Sequence, residues 1–123
     1  MKQKPSQKQD KVFKRDFIGT WRITKMSEWD NDYLDMEVKA FIRIGNSGEG
    51  EFQFGVVQCT AYGDFEKREG SIVYDFTFEG GDEGDDVSGD GWMRIVGNGN
   101  AEGKIRFHGG DKSMFWAKKA KQK

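Results

Sequence analysis

Between Ile72 and Glu79 the chain alternates without a break: Ile72, Tyr74, Phe76 and Phe78 stand at every second position, with Val73, Asp75, Thr77 and Glu79 between them. Successive side chains of an extended strand point to opposite faces, so this period gathers three rings and an isoleucine on one side. A helix would scatter the same residues around its circumference. The chain must therefore contain a sheet with one buried face and one wet face.

The period recurs along the sequence. Trp21 and Ile23 share a face. Val38, Ala40, Ile42 and Ile44 alternate with Lys39, Phe41 and Arg43, while Phe52, Phe54 and Val56 alternate with Gln53, Gly55 and Val57. Met93 with Ile95, Ile105 with Phe107, and Phe115 with Ala117 read as three more strands, and Ala61 to Glu66 as a separate short one. Gly45-Asn46-Ser47-Gly48, Gly80-Gly81-Asp82-Glu83-Gly84, Gly97-Asn98-Gly99-Asn100 and Gly109-Gly110-Asp111-Lys112 read as hairpin connectors, since glycine reaches the positive φ that tight turns need. Val12, Phe13, Phe17 and Ile18 fall at helical spacing, which predicts a short helical turn ended by Gly19. The only proline, Pro5, precedes all of this. The expected fold is all-β: an antiparallel up-and-down barrel of about seven or eight strands, closed so that no edge stays unpaired.

A length of 123 residues suits one domain, and 14% aromatic residues give it a core despite only 35% hydrophobic content. We divide the chain into a disordered basic tail over residues 1–12, a barrel domain over 13–118 and a basic C-terminal tail over 119–123. A single cysteine, Cys59, excludes an internal disulfide. No apolar run resembles a signal peptide or a spanning helix, so the expected location is cytoplasmic, with no membrane association. Charge is uneven. Lys2, Lys4, Lys8, Lys11, Lys14 and Arg15 open the chain and Lys118, Lys119, Lys121 and Lys123 close it, leaving ten basic against twenty acidic residues between Asp16 and Ala117. A body near −10 repels a phosphate backbone, so nucleic-acid binding through the domain itself is not expected.

Phe17-Ile18-Gly19-Thr20-Trp21-Arg22-Ile23, a helical turn running into the first strand, resembles the Gly-x-Trp start of the calycin-like barrels: lipocalins, fatty-acid-binding proteins and avidins. The resemblance implies an up-and-down ligand-binding barrel in which Trp21 plugs one end beneath a basic side chain from the last strand, with Lys118 the counterpart. The whole chain is also similar to a small bacterial family that carries Gly-Thr-Trp-Arg-Ile, Phe-Gln-Phe-Gly and Gly-Asp-x-Ser-x-Phe segments and has no known activity.

Chemistry-bearing residues concentrate in Glu79 to Gly91, where Glu79, Asp82, Glu83, Asp85, Asp86 and Asp90 put six carboxylates in thirteen residues. Asp86-x-Ser88-x-Asp90-Gly91 copies the first half of a calcium loop, although Gly97 stands where the bidentate Glu belongs, so Asp86, Ser88 and Asp90 are the candidate metal ligands and no metal or other cofactor is expected as a resident group. His108, the only histidine, invites an acid/base couple with Asp111 or Glu79. Cys59 and His108 form a weaker nucleophile and base pair, with no supporting motif. Trp29, Tyr33, Trp92, Trp116, Glu83 and His108 are the candidate ligand-binding set, because aromatic rings with a few polar neighbours line pockets and partner surfaces.

The function expected from these residues is non-enzymatic binding of a small molecule or a protein partner, by a monomer or small homo-oligomer. Two alternatives stand beside it: a metal-dependent or acid/base hydrolase using the acidic 79–90 loop and His108, and a calcium-binding structural protein.

Overall fold

The computed structural model describes residues 11–120. Eight antiparallel strands form one closed barrel: β1 (Gly19–Met26), β2 (Phe41–Ile44), β3 (Glu49–Phe54), β4 (Val57–Arg68), β5 (Ser71–Asp82), β6 (Asp85–Gly97), β7 (Asn100–Phe107) and β8 (Lys112–Lys119). Each strand pairs with its sequence neighbour, and β1 pairs with β8 to close the ring. A 3-10 turn at Lys14–Phe17 precedes β1, and a single helical turn, α1 (Asn31–Leu34), lies between β1 and β2.

The expected alternation holds at the centre of the molecule. Tyr74, Phe76 and Phe78 point inward from β5 and are buried, joined by Trp21, Ile23, Ile42, Ile44, Phe52, Phe54, Met93, Ile105 and Phe115. Three of the rings lie directly across from a glycine: Phe76 faces Gly91, Phe78 faces Gly89, and Phe115 faces Gly103. A Cβ on Gly91, Gly89 or Gly103 would stand 2.8, 2.7 or 2.5 Å from the opposing ring. Each ring thus occupies the space that its partner's missing side chain leaves.

This pairing corrects several readings of the sequence. Gly80, Gly81 and Asp82 belong to β5 and Asp85 to Gly91 to β6, so the acidic 79–90 segment is two paired strands with a turn of only Glu83 and Gly84. Both turn residues have positive φ, 53° and 95°, as a two-residue hairpin of this twist requires. Glu69 and Gly70 make the same turn between β4 and β5, at a place the sequence analysis left unmarked. Ala61 to Glu66 is the middle of the long strand β4. Phe52 to Val57 is not one strand: Gly55, at φ 56°, turns the chain there, and Val57 rather than Val56 points inward. Val38 lies outside β2 and is exposed, although Ala40, Ile42 and Ile44 are buried as expected.

Both ends of the barrel are covered. At one end Phe17 packs on Phe65 with ring centroids 5.5 Å apart, and the Trp21 indole donates to the Phe17 carbonyl at 3.0 Å. The basic side chain over Trp21 is that of Lys119, with Nζ 4.9 Å from the ring and donating to the Asp16 carbonyl at 2.9 Å; Lys118 points outward. Burial outweighs the nearby Asp16 carboxylate and holds the Lys119 ammonium below its ordinary range. Residues 1–10 and 121–123 lie outside the described residues; of the expected tails, Val12 packs against the core and Lys119 completes β8.

Candidate functional site

The other end carries most of the expected ligand-binding residues, and two of them, Trp29 and Tyr33, form a plug there. Asp30 caps α1 by accepting from the Tyr33 amide at 3.0 Å, and the Leu34 carbonyl accepts from the Gly55 amide at 2.9 Å. The Tyr33 ring lies so close to Gly55 that a Cβ there would stand 2.1 Å from it. Trp29 stacks near Tyr33 and packs on Phe54 at 4.9 Å, with Phe107 edge-on at 6.3 Å. Ser113, which the sequence analysis passed over, fastens this connector: its buried hydroxyl accepts from the Glu28 amide at 3.1 Å and donates to the Met114 carbonyl at 2.8 Å. Lone serines in strands give no sequence signal of such a role. Trp29 and Tyr33 thus close the barrel over its phenylalanines instead of rimming an open mouth.

His108 follows β7 at the same end and is exposed. Its Nδ1 lies 3.2 Å from the Ser88 hydroxyl, and its amide donates to the Ser88 carbonyl at 2.8 Å. Among the described residues no carboxylate is bonded to the imidazole, so neither Asp111 nor Glu79 orients it. Glu79 pairs with Ser88 across β5 and β6, and together with Thr60 and Asp86 they wall an outer hollow of about 600 Å³. Glu83 sits at the hairpin tip.

Asp86, Ser88 and Asp90 alternate along the outer face of β6 instead of curling around a point. Asp90 is already engaged, accepting from Arg106 Nε at 2.9 Å. Among the described residues no group of three or more acidic, histidine or cysteine side chains converges to hold a metal ion. Cys59 points inward and is buried, whereas His108 is exposed; burial first, then the Asp82 carboxylate, push the thiol up to about 12, so it stays protonated.

Trp92 and Trp116 stand apart from this end, on the outer wall. Trp92 lies on β6 between Asp75 and Lys104, and Arg94 sits 5.9 Å over its ring. Trp116 lies on β8 across from Glu102, with Lys25 Nζ 5.5 Å over its ring. Both indoles are part-exposed. A hollow of about 680 Å³ beside Trp92 is lined by Val73, Arg68, Glu69 and Arg94. No known family model matches the chain, and no curated protein or solved structure matches it either.

Proposed function

We propose that this barrel is a non-enzymatic binding module that engages its partner through the outer wall. The observation that carries the reading is the ring-on-glycine interior, closed by Phe17 and Trp21 at one end and by Trp29 and Tyr33 at the other. A core whose rings interlock with the opposing glycines in this way admits a guest only by rearranging. Aromatic side chains left on a strand's outer face are then the features that need a use. Trp92 and Trp116 are of the residue type that dominates recognition surfaces; Val73 lines the hollow beside Trp92, and Met114 shares the outer face of β8 with Trp116. The hydrolase and calcium readings draw less support, since His108 has only a hydroxyl for company and the acidic side chains are strung along a strand.

Methyl and indole NMR during titration with apolar, nucleotide and peptide ligands tests the reading. Perturbation confined to Val73, Trp92, Met114 and Trp116 is the expected result. A guest that shifts Ile42, Ile44, Met93 and Ile105, whose side chains line the interior, would replace the surface reading with a cavity one.

A further inference from the structure

The net charge of the barrel hides how its charges are sorted. Outward positions of β3, β4 and β5 carry Glu49, Glu51, Asp64, Glu66, Asp75 and Glu79 against Arg68, with Arg43 beside them on β2. The opposite wall, from the far half of β6 through β7 and β8 to β1, carries Lys25, Arg94, Lys104, Arg106, Lys112 and Lys118 against only Asp90 and Glu102. Those two carboxylates are bonded to Arg106 and Arg94. Lys25, Lys104, Lys112 and Lys118 enter none of the ion pairs among the described residues. A ligand at the basic wall feels that wall. Most of the acidic wall is at least ~10 Å away through the core, beyond the ~8 Å screening length of physiological salt; its nearest carboxylate, Asp75, stands directly across from Trp92 and is bonded to Arg68.

Resting on the surface-binding reading, we propose that this wall binds single-stranded nucleic acid, with bases stacked on Trp92 and Trp116 and phosphates held by Lys25, Lys104, Lys112 and Lys118. Strand binders of this kind combine cations that follow the backbone with aromatic faces that take any base, and both are interleaved here. Trp92 and Trp116 are two strands apart with Lys104 on the strand between them. At ~4.8 Å per strand, with Trp116 two residues along β8 from the position level with Trp92, the two backbone positions stand roughly 12 Å apart, the span of three to four stacked bases at ~3.4 Å each. The hollow beside Trp92 offers a base the apolar Val73 and two guanidinium groups, Arg68 and Arg94, with Glu69 the one carboxylate in its lining. The present partners of these guanidinium groups, Asp75 and the half-buried Glu102, sit in ion pairs at the surface, which hold weakly enough for a phosphate to displace them. The acidic wall of a second copy is the other partner of matching charge, but it would use the lysines and leave both indoles without a role.

Fluorescence anisotropy of the full chain with labelled oligothymidylate and oligouridylate of about 15 nucleotides, and with a duplex of equal length, tests the proposal. The single strands should bind more tightly than the duplex. Trp92→Ala and Trp116→Ala should each weaken them about tenfold, and Trp92→Phe and Trp116→Phe, which keep a stacking face and guard against a folding defect, should recover most of that loss. Lys25→Glu with Lys104→Glu should weaken binding and flatten a log–log salt slope of about −3 measured between about 50 and 200 mM salt. Tyr62→Ala, an exposed ring on the acidic wall, should change nothing. Binding that survives all the face variants would assign it to the basic chain ends and overturn the proposal, as would equal affinity for duplex. Failure of every oligonucleotide to bind, with self-association at low salt that Lys104→Glu abolishes, would also overturn it in favour of a second copy. In either case unperturbed interior methyls would leave the surface reading standing, so the two failures are separable.

Discussion

Cys59 and Tyr74 are ionisable groups placed inside the barrel, and burial is the main reason both keep their protons. The thiol is pushed from 9.0 to about 12, and the Tyr74 phenol, whose hydroxyl donates to the Gly48 carbonyl at 2.8 Å, is raised above its ordinary 10.0, with Glu49 adding to the effect. At neutral pH both are uncharged in the folded and the unfolded chain. Above pH 9 the unfolded thiol ionises while the folded one does not, so the unfolded chain binds fewer protons and stability falls as pH rises. Tyr74 joins above pH 10, and each group can take away up to about 1.4 kcal/mol per pH unit. Lys119 acts with the opposite sign, because its depressed pKa leaves the unfolded chain with more protons near pH 10. Urea unfolding from pH 8 to 10.5 should therefore show an alkaline loss of stability that is shallower in Cys59→Ala; identical slopes in the two proteins would mean that the thiol titrates as freely folded as unfolded. These burials were only partly legible. The alternation placed Tyr74 on the inner face, but Cys59 lies in a stretch where Gly55 shifts the inward set from Val56 to Val57.

At the scale of elements, the β4–β5 ribbon shows what hairpin register costs. Asp64 stands directly across from Asp75 on the outer face, and like charges so placed oppose pairing. Arg68 relieves this by bonding Asp75 and reaching Glu66 at 3.4 Å. Asp64→Lys should raise stability by about 0.5 kcal/mol at low salt, with the gain fading as salt screens the pair; a loss of stability at low salt would show that the register seen here is wrong. On the inner face of β7, Gly103→Ala would bring a Cβ to 2.3 Å from the Trp92 carbonyl and 2.5 Å from the Phe115 ring. Thermal unfolding should reveal a penalty of about 1–3 kcal/mol, whereas an unchanged midpoint would show that ring and glycine do not interlock. Strand existence was readable because alternation is a local property of the chain. The glycines were not: nothing in Gly89, Gly91 or Gly103 separates a turn from a strand position until the ring across the ladder is known, nor in Gly80 until Cys59 is placed beside it.

For the whole molecule, the β1–β8 seam converts a meander into a barrel. Ile23 and Met26 meet Ala117 and Phe115 across it, and the Lys119 ammonium seals the end over Trp21. A chain ending at Asp111 would leave β1 and β7 as open edges and remove Phe115 from the core, so loss of cooperative unfolding and of near-ultraviolet circular dichroism is expected. A truncated chain that kept both would show that the sheet holds without closure. Charge sorting belongs to this scale as well. The net charge argued against any phosphate partner, and only the rolled sheet separates Lys25, Lys104, Lys112 and Lys118 from the carboxylates of β3 to β5. Among the candidate site residues, Trp29, Tyr33, Glu83 and His108 do share one end of the barrel, while Trp92 and Trp116 belong to the wall.

By itself the order of residues determined that the chain forms strands and which rings face inward, because a period of two is written in consecutive positions and needs no partner. Tertiary structure alone decided which glycines oppose rings, that Ser88 meets His108, that Lys119 rather than Lys118 caps Trp21, and which lysines share a wall. Those are relations between residues far apart in sequence, and they exist only once hydrogen bonds between strands set the register and the seam closes.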